Sequence, residues 1–307
     1  MNSIEIRNVT KTFGDVVAVN DLSLDVPKGS VYGFIGPNGS GKTTTLRMIM
    51  NIFYPDQGSI AVLGNDTPGA HVDRIGYLPE ERGLYRRMSV RDVLRFYGEL
   101  KADRQVSAEV DSWLERMDLS DWADKKVETL SKGMSQKVQF IASVVSSPDI
   151  LILDEPFTGL DPVNTDTIRE AILETRNTNG TTIVFSTHDM SMAEKMCDFI
   201  FMIFKGKKVL DGTLASIQDE YGADTLRVNC EGGASALRGI QGVDRISDYG
   251  QVQELRMASG ADPQQILAAI MARTEVKSFQ IASPSLHDIF VRIAGPDARE
   301  AEDEQGA

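Results

Sequence analysis

The chain has 307 residues, of which 41% are hydrophobic and 25% are charged; this length favours about two domains and a substantial core. Its formal charge of −13, from 45 acidic and 32 basic residues, disfavours broad contact with nucleic acid or with an anionic membrane surface. No apolar run approaches the roughly 18 residues of a membrane span, and the N-terminus has no apolar signal region. We therefore expect neither a transmembrane segment nor a signal peptide.

The first eighty residues predict short strands around a glycine-rich loop. Residues 4–9 and 22–26 alternate like half-buried strands, and residues 31–35, 58–63 and 75–79 are further apolar runs. Phe13 lies between the first two strands. An aromatic ring there can stack on an adenine or simply pack, and its position leaves both open.

Residues 36–43 read Gly-Pro-Asn-Gly-Ser-Gly-Lys-Thr and fit the phosphate-binding pattern G-x-x-x-x-G-K-[ST]. Glycines let the backbone wrap a phosphate with its N–H groups pointing inward. Lys42 can reach the β- and γ-phosphates, and the Thr43 hydroxyl can bind Mg²⁺. A chance match in a glycine-rich turn is the alternative. The strand before the loop and the helix predicted at 44–50, with its positive end toward the anion, favour the phosphate site.

Residues 89–147 have a helical pattern. Ser89 and Asp92 resemble a capping box, and Ser107 is expected to cap a second helix. One face of that second helix is apolar and is expected in the core: Val110, Trp113, Leu114 and Met117. A third helix, at 134–145, follows a polar turn at 130–133 that can expose backbone N–H groups.

Residues 150–153 form a continuous apolar run, as expected of a parallel strand covered on both faces. The run ends in Asp154 and Glu155, at the carboxyl end of a strand, where ligands bind in open α/β sheets. One carboxylate can hold Mg²⁺ while the other faces a substrate water. A solvated loop is the alternative, which the phosphate loop in the same chain disfavours.

A helix at 165–177 and a strand at 181–186 follow, and this alternation predicts a parallel sheet. His188 comes directly after the strand, where a neutral imidazole can bind a phosphate oxygen. His71 and His287 are interpreted as surface or packing residues. The two cysteines, Cys197 and Cys230, lack metal-ligand spacing and are expected to be free thiols in a reducing cytoplasm.

After residue 221 the pattern changes to β-α-β-β-α-β-α, the order of a small split-βαβ domain. The predicted strands are residues 224–230, 244–246, 251–257 and 277–281; the predicted helices are residues 234–240, 263–272 and 285–293. Ser285 is expected to cap the last helix. We find no catalytic constellation in this part, and the acidic residues 296–307 are expected to be disordered.

The motifs together resemble those of the ATP-binding subunit of an ABC transporter. Residues 36–43 resemble its Walker A motif, 150–155 its Walker B motif, and 130–134, Leu-Ser-Lys-Gly-Met, its signature motif, usually LSGGQ. Residues 159–161 resemble the D-loop and His188 the switch histidine. The ordered set covers about residues 3–215. Residues 284–290 resemble a C-terminal extension found in the bacterial drug- and sodium-export branch.

The resemblance implies an α/β fold of the P-loop NTPase class, with a RecA-like parallel sheet core, an antiparallel β subdomain and an α-helical subdomain at about 88–147. It places the nucleotide-binding domain at 1–220, a ferredoxin-like α+β C-terminal domain at 221–295 and the acidic tail at 296–307. The cofactors implied are ATP and Mg²⁺.

The resemblance also assigns roles to residues. The catalytic residues are Glu155, His188 and Lys42. The nucleotide-binding residues are Phe13, Gly36, Pro37, Asn38, Gly39, Ser40, Gly41, Lys42, Thr43 and Thr44. The residues facing the ATP of a partner are Ser131, Lys132, Gly133 and Met134, with Asp161 in the D-loop. The metal-binding residues are Thr43, Asp154 and Glu80.

The chain departs from the family pattern at three of these positions. Glu80 stands where a glutamine is usual, and its carboxylate adds negative charge while still able to bind Mg²⁺. Lys132 and Met134 stand where glycine and glutamine are usual. Lys132 adds a cation next to the signature, whereas Met134 cannot supply the hydrogen bonds of glutamine.

The partners implied are an integral membrane permease subunit, which would meet residues 85–89, and a second ATPase subunit, expected to be an identical copy. The chain would then sit peripherally on the cytoplasmic face of the membrane and power export of an unidentified substrate. The alternative is a soluble ABC-family ATPase that acts on nucleic acid or ribosomes; the acidic charge and the single cassette disfavour it, and we expect no nucleic acid partner. A sensor without catalysis is disfavoured by Glu155.

Overall fold

The computed structural model describes residues 2–67, 69–81, 83–221 and 225–295. The chain divides into two compact units between Thr213 and Leu214. The acidic residues 296–307, predicted to be a disordered tail, and Asp224, predicted to begin a strand, lie outside the described residues. Among those that are described, no helix has the length and apolar character needed to cross a membrane.

The first unit starts with antiparallel strands and continues with alternating strands and helices. In chain order, its elements are β1 (Asn2–Phe13), β2 (Val16–Pro27), β3 (Val31–Ile35), α1 (Lys42–Ile49), β4 (Gln57–Val62), β5 (Ile75–Leu78), α2 (Val90–Ala102), α3 (Ser107–Arg116), α4 (Lys132–Val144), β6 (Ile150–Asp154), α5 (Pro162–Asn179), β7 (Thr182–Thr187), α6 (Met190–Met196), β8 (Phe199–Phe204) and β9 (Lys207–Gly212). Short 3-10 turns lie at Val72–Arg74, Ser120–Trp122 and Val127–Thr129.

A six-stranded sheet in the order β5-β6-β7-β3-β8-β9 forms the centre of this unit. Its strands pair in parallel except for β9, which is antiparallel to β8. Strands β2, β1 and β4 form a separate antiparallel sheet. The parallel core, the antiparallel sheet and the run of helices α2 to α4 agree with the predicted fold class.

The central strands are buried on both faces, which accounts for their largely apolar sequences. In β6, Leu151 and Leu153 join a hydrophobic cluster with residues of α2, α3, α4 and α5. Ile150 and Ile152, on the opposite face, join a second cluster with residues of β1, β2 and α1. Because successive strand residues point to opposite faces, a strand covered on both sides is apolar at most positions, and its buried polar residues, such as Thr182 and Ser186 in β7, are hydrogen-bonded.

The predicted and observed elements differ at several ends. Strands β1 and β2 extend beyond the predicted residues 4–9 and 22–26, so Phe13 is the last residue of β1 and does not lie between the two strands as predicted.

Helix starts also differ. Ser89 caps α2 as predicted, since its hydroxyl accepts the N–H of Asp92. The predicted cap at Ser107 is wrong: Ser107 is already the first helical residue, and Val106 precedes it without a side-chain cap. Helix α5 begins at Pro162, three residues early, because a proline suits the first helical position. The short helix α6 was not predicted.

The second unit consists of α7 (Leu214–Tyr221), β10 (Thr225–Cys230), α8 (Gly233–Leu237), β11 (Val243–Asp248), β12 (Gln253–Met257), α9 (Pro263–Met271), β13 (Val276–Ala282) and α10 (Leu286–Ala294). From β10 to α10 the element order is the predicted one; α7 was not predicted. The four strands form an antiparallel sheet in the order β11-β12-β10-β13. Residues of α8 and α9 share its hydrophobic core, and Ser285 caps α10 in a capping box.

Candidate nucleotide-binding site

The carboxyl ends of β3, β7 and β6 lie side by side, because these three strands are consecutive neighbours in the parallel sheet. The register pairs Ile35 with Thr187 and Asp154 with Ser186. The glycine-rich loop 36–43 follows β3, Glu155 follows β6 and His188 follows β7. Residues from three distant parts of the sequence therefore meet at one edge of the sheet, where ligands bind in open α/β folds.

The path of the loop depends on glycine at two positions. Gly36 has φ +151°, and a Cβ atom there would overlap the backbone carbonyl oxygen of Ile203. Gly41 has φ +111°, and its Cβ would lie 2.5 Å from the carbonyl oxygen of Ala18. An L side chain fits neither position unless the backbone moves. Helix α1 begins directly after Gly41 without a side-chain cap, so its first N–H groups are available to an anion held by the loop.

Lys42 is buried beneath the loop with its ammonium group inside. Nζ donates to the carbonyl oxygens of Gly36 at 2.7 Å and Pro37 at 3.1 Å, and it lies 3.8 Å from Oε1 of Glu155. Burial lowers the pKa of Lys42, and nearby carboxylates, that of Glu155 first, oppose this shift. A phosphate entering the loop would meet a cation that is already positioned and partly desolvated, so its charge would interact strongly with the lysine.

Asp154 is buried at the end of β6 and has one unpartnered oxygen. Its Oδ1 accepts hydrogen bonds from the hydroxyls of Thr43 at 3.2 Å and Ser186 at 2.6 Å. Its Oδ2 is buried and has no hydrogen-bond partner among the described residues. A buried carboxylate oxygen left without a partner is costly, so this atom fits a cation or an ordered water.

The donor set at Asp154 suits Mg²⁺, which prefers oxygen ligands and keeps several waters beside substrate phosphates. Within the described residues, no group of three or more His, Cys, Asp or Glu is arranged to hold a metal. The carboxylate of Asp154 and the hydroxyl of Thr43 therefore fit an ion that is completed by phosphate and water, and not a site built from protein ligands alone.

Glu155 is fixed by contacts on several sides. Its backbone has φ +50°, a conformation that is uncommon for a residue other than glycine and that marks functional sites when the surroundings enforce it. Its N–H donates to the hydroxyl of Ser186 at 3.0 Å. Its Oε2 accepts from the Thr158 hydroxyl at 3.3 Å, and its Oε1 lies 3.0 Å from Nδ1 of His188. The carboxylate is thus held in one place beside the loop lysine.

Sequence reasoning missed Ser186 and Thr158. The Ser186 hydroxyl accepts from the backbone N–H of Glu155 and donates to the carboxylate of Asp154, so it ties the Asp154 side chain to the backbone at Glu155. Its position near the end of β7, in register with Asp154, is a signal that only strand pairing reveals. Thr158 lies three residues after Glu155 in the following turn.

The signature-like residues form the start of α4. The Ser131 hydroxyl accepts the N–H of Met134 at 3.3 Å and caps the helix, so α4 begins at Lys132 and not at the predicted residue 134. The Met134 side chain packs against the helical hydrophobic cluster. Ser131 and Lys132 line a cavity of about 340 Å³ together with Arg86.

The D-loop-like residues lie against this helix start. The ammonium of Lys132 contacts Gly159, and a Cβ atom at Gly133 would lie 2.7 Å from Nδ2 of Asn164. Asp161 caps α5 by accepting the backbone N–H of Asn164 at 3.0 Å and its side-chain amide at 2.5 Å. These bonds from Asn164 lower the pKa of Asp161. The structure therefore brings the two predicted motifs together within one chain.

The two remaining predicted residues are on the surface. Phe13 is 43% exposed, and the edge of its ring packs against Phe53 at a centroid distance of 5.3 Å. Glu80 is exposed in the loop after β5, and its carboxylate raises the pKa of Lys42. Part of the Phe13 ring is thus exposed, although the Lys11 ammonium lies over it at 5.4 Å from the ring centroid. The Glu80 charge acts on the phosphate loop.

These features define the class of P-loop nucleotide-binding proteins. A strand leads into a glycine-rich loop and the uncapped start of a helix, and a buried lysine and an acidic strand end lie beside the loop. The comparisons with known proteins agree with this class. The family described as "ABC transporter" matches residues 19–158. The family described as "ATP-binding protein DrrA1-3-like, C-terminal domain" matches residues 212–294.

Full-length relatives identify the family. The uncharacterized ABC transporter ATP-binding protein YhaQ of Bacillus subtilis is 40% identical over 294 residues, which cover 95% of this chain and 98% of that protein. The Nod factor export ATP-binding protein I of Burkholderia lata is 35% identical over 307 residues, which cover 97% and 98%. This chain belongs to the family of ABC transporter ATP-binding proteins, the ATPases that drive transport.

Solved structures agree. The structure described as the ATP binding subunit of an ABC transporter matches with a TM-score of 0.67 and 27% identity, covering 71% of this chain and 93% of that one. The cbiO1 protein of Clostridium perfringens, described as part of the ABC transporter complex cbiONQ, matches with a TM-score of 0.64 and 25% identity, covering 72% and 92%. The predicted fold class and the binding of ATP are confirmed. The nucleic-acid alternative gains no support from these relatives.

Proposed function

We propose that this chain hydrolyses ATP with Glu155 as the residue that orients the attacking water, and that hydrolysis powers export through a separate membrane subunit. The observation that carries the proposal is the position of the Glu155 carboxylate, 3.8 Å from the Lys42 ammonium and 3.0 Å from the His188 ring. A carboxylate there lies next to the place where the γ-phosphate would be held. We infer export as the direction of transport because the relative from Burkholderia lata is named as an export protein.

Each site residue then has a role in phosphoryl transfer. Glu155 polarises the water, and Lys42 and His188 stabilise the charge that spreads over the transferring group. Phe13 stacks on the adenine. The backbone and side chains that hold the phosphates are Gly36, Pro37, Asn38, Gly39, Ser40, Gly41, Lys42, Thr43 and Thr44.

Mg²⁺ is the metal proposed for this site. Thr43 and Asp154 would hold it, since their oxygens are adjacent and Oδ2 of Asp154 is buried without a partner among the described residues. Glu80 is a further ligand, through water, from the loop after β5. When bound, the ion neutralises charge on the β- and γ-phosphates. The residues of this chain keep the hydroxyl, the carboxylate and the lysine in place before the nucleotide arrives.

A second copy of the chain is the proposed partner in the ATPase cycle. The start of α4, from Ser131 to Met134, would face the γ-phosphate of ATP held by the other copy, with Asp161 beside it. Charge-assisted bonds to that phosphate exist only while it is present, so ATP biases the pair toward the closed arrangement and hydrolysis toward the open one. Lys132 would add a cation to the partner's phosphate.

The proposed contact with the membrane subunit lies after Glu80. Tyr85 and Phe96 are exposed, and their rings meet edge-on at 5.5 Å. An apolar cavity of about 260 Å³ adjoins them, lined in part by Tyr97 and Leu84. Exposed aromatic clusters mark interaction sites. A cytoplasmic loop of the permease would fill this cavity and hold the chain at the cytoplasmic face of the membrane.

Co-expression with candidate membrane subunits tests this function. We expect the wild-type chain to co-purify from detergent-solubilised membranes with one permease and to hydrolyse ATP faster in that complex than alone. Tyr85→Ala should reduce co-purification without changing the ATPase rate of the isolated chain, because Tyr85 lies outside the phosphate site. An ATPase rate that responds to DNA or RNA at stated salt, and not to membranes, would contradict the proposal.

A further inference from the structure

We propose that Gln136 of α4 is a positioning residue for Glu155, because its side-chain amide holds the turn that carries the glutamate. The Nε2 atom of Gln136 donates to the backbone carbonyl oxygen of Pro156, the residue after Glu155, at 3.2 Å. This bond reaches the backbone and no reacting atom, so Gln136 acts through Glu155. The role rests on the proposed function, in which Glu155 orients the attacking water.

The backbone at Glu155 has a conformation that the local sequence disfavours. Glu155 has φ +50°, whereas residues with a side chain mostly avoid positive φ. It also precedes Pro156, and a proline ring restricts the residue before it to extended backbone with negative φ. Such a conformation persists only where the surrounding contacts enforce it. The position of the Glu155 carboxylate therefore depends on the bonds that hold this turn.

Hydrogen bonds fix three successive peptide groups around Glu155. The N–H of Glu155 donates to the hydroxyl of Ser186 in β7 at 3.0 Å. The carbonyl oxygen of Glu155 accepts the N–H of Thr158 at 3.3 Å. The next carbonyl, that of Pro156, accepts the amide of Gln136. The sheet, the turn itself and α4 each supply one of these bonds, and Gln136 supplies the one from α4.

The bond from Gln136 lies in the interior of the first unit. The Gln136 side chain is only 6% exposed, and Pro156 is buried. The Pro156 carbonyl oxygen accepts no other hydrogen bond within the described residues. A buried carbonyl without a donor is unfavourable. Without the amide, the turn would shift toward another donor or keep an unpaired carbonyl, and a shift would displace the Glu155 carboxylate.

Helix α4 is itself packed against the segment that follows Glu155, so the amide is held on a fixed support. The Lys132 ammonium contacts Gly159, and Gly133 lies close to the side-chain amide of Asn164. Gln136 is three and four residues beyond these two positions, a spacing that places side chains on one face of a helix. A side chain on a packed helix positions its partner more precisely than one on a loop.

Steady-state and single-turnover ATPase assays on the full chain test this role with Gln136→Met, which keeps the length of the side chain and removes the donor. Nucleotide titration counts the binding sites, so that kcat is calculated per site and not per folded and unfolded chain together. The control is Thr175→Val, which removes a buried hydroxyl whose bond to the Ala171 carbonyl stays within α5. The variants E155Q and E155Q/Q136M complete a double-mutant cycle. If Q136M does not bind nucleotide, Gln136→Asn takes its place, since its amide is one methylene too short to reach.

We expect Q136M to lower kcat by roughly tenfold or more with KM for ATP unchanged, because a displacement of about 1 Å in an active site can cost about 10²-fold. T175V should match the wild type. In the E155Q background, Q136M should lower the residual rate no further, since residues that act as a unit are not additive.

Two results would overturn this role for Gln136. One is a wild-type kcat in Q136M. The other is an equal fold-loss from Q136M with and without Glu155, which is what a merely structural defect would cause. Unchanged turnover in E155Q itself would instead contradict the proposed function, so the failure of one proposal can be told from the failure of the other.

Discussion

The Nδ1 atom of His188 lies 3.0 Å from Oε1 of Glu155. The glutamate follows β6 and the histidine follows β7, so pairing of these two strands creates the contact. The imidazole can hold the carboxylate in one orientation, or turn to a phosphate oxygen once ATP is bound. In both arrangements, substitution of either residue should reduce ATP hydrolysis.

Glu155→Gln should nearly abolish turnover while leaving nucleotide binding intact. The amide keeps the shape of the side chain but cannot act as a base, and general base catalysis contributes about 10²–10⁴-fold. Steady-state ATPase assays and nucleotide titration measure the two effects, and gel filtration with ATP should show a stable dimer. The control is Glu170→Gln, an exposed position on α5. Unchanged turnover in E155Q would remove Glu155 from the mechanism.

His188→Ala should lower kcat by about 10²–10³-fold, the usual cost of losing one donor to a developing charge. The affinity for ATP should change little, because Lys42 and the loop backbone make the ground-state contacts. Kinetics at saturating ATP separate kcat from KM. His71→Ala, which removes a histidine outside the site, serves as the control. A rise in KM alone would indicate that His188 acts in binding only.

Asp154→Asn should raise the Mg²⁺ concentration needed for half-maximal ATPase activity by roughly tenfold or more, since even residues that support a metal ligand contribute that much. The buried Oδ2 atom has no partner among the described residues. Removing the negative charge should therefore lower mainly the affinity for Mg²⁺. Titration with Mg²⁺ at fixed ATP gives the value. Glu80→Gln should cause a smaller shift because Glu80 is exposed. If both variants titrate like the wild type, neither carboxylate holds the ion.

Gly36→Ala should destabilise the apo protein by roughly 3 kcal/mol or more, because a methyl group there overlaps a backbone oxygen and the residue has positive φ. Gly39→Ala is the matched control: Gly39 also has positive φ, of +73°, but open space surrounds it. Gly39→Ala should lower the free energy of unfolding by about 1–2 kcal/mol, from backbone conformation alone. Urea unfolding compares the two, and equal losses would show that the close approach to Ile203 does not matter.

Lys132→Ala should weaken ATP-dependent dimerisation, measured in the E155Q background so that ATP is not consumed. The Lys132 ammonium contacts Gly159 at the start of the D-loop-like segment, and its charge would favour the partner's phosphate. Analytical ultracentrifugation at two salt concentrations should show a smaller salt effect in the variant. Lys126→Ala, an exposed lysine ahead of α4, should behave like the wild type.

The parallel strands were largely predicted correctly, because burial on both faces gives each strand a local run of apolar residues. Residues 150–153 are apolar at every position and 31–35 at all but Tyr32; β6 begins with the first run and β3 coincides with the second. Helix starts were predicted less well. Ser107 looked like a cap, but its hydroxyl lies inside the first turn, and only the path of the preceding chain decides which residue takes the cap position. Helices α6 and α7, with seven and eight residues, are too short for a clear helical period.

The sequence by itself predicted the phosphate-binding loop, since the motif is local: its glycines, lysine and threonine are close together in the chain, and the strand and helix beside it follow from their own apolar patterns. Only the tertiary structure decided how distant residues combine. Strand register and helix packing set the bonds of the Ser186 hydroxyl to the Asp154 carboxylate and the Glu155 backbone. They also set the contact between Lys132 and Gly159 and the pairing of Arg245 with Arg256. Long-range pairing sets these, and no short sequence pattern records it.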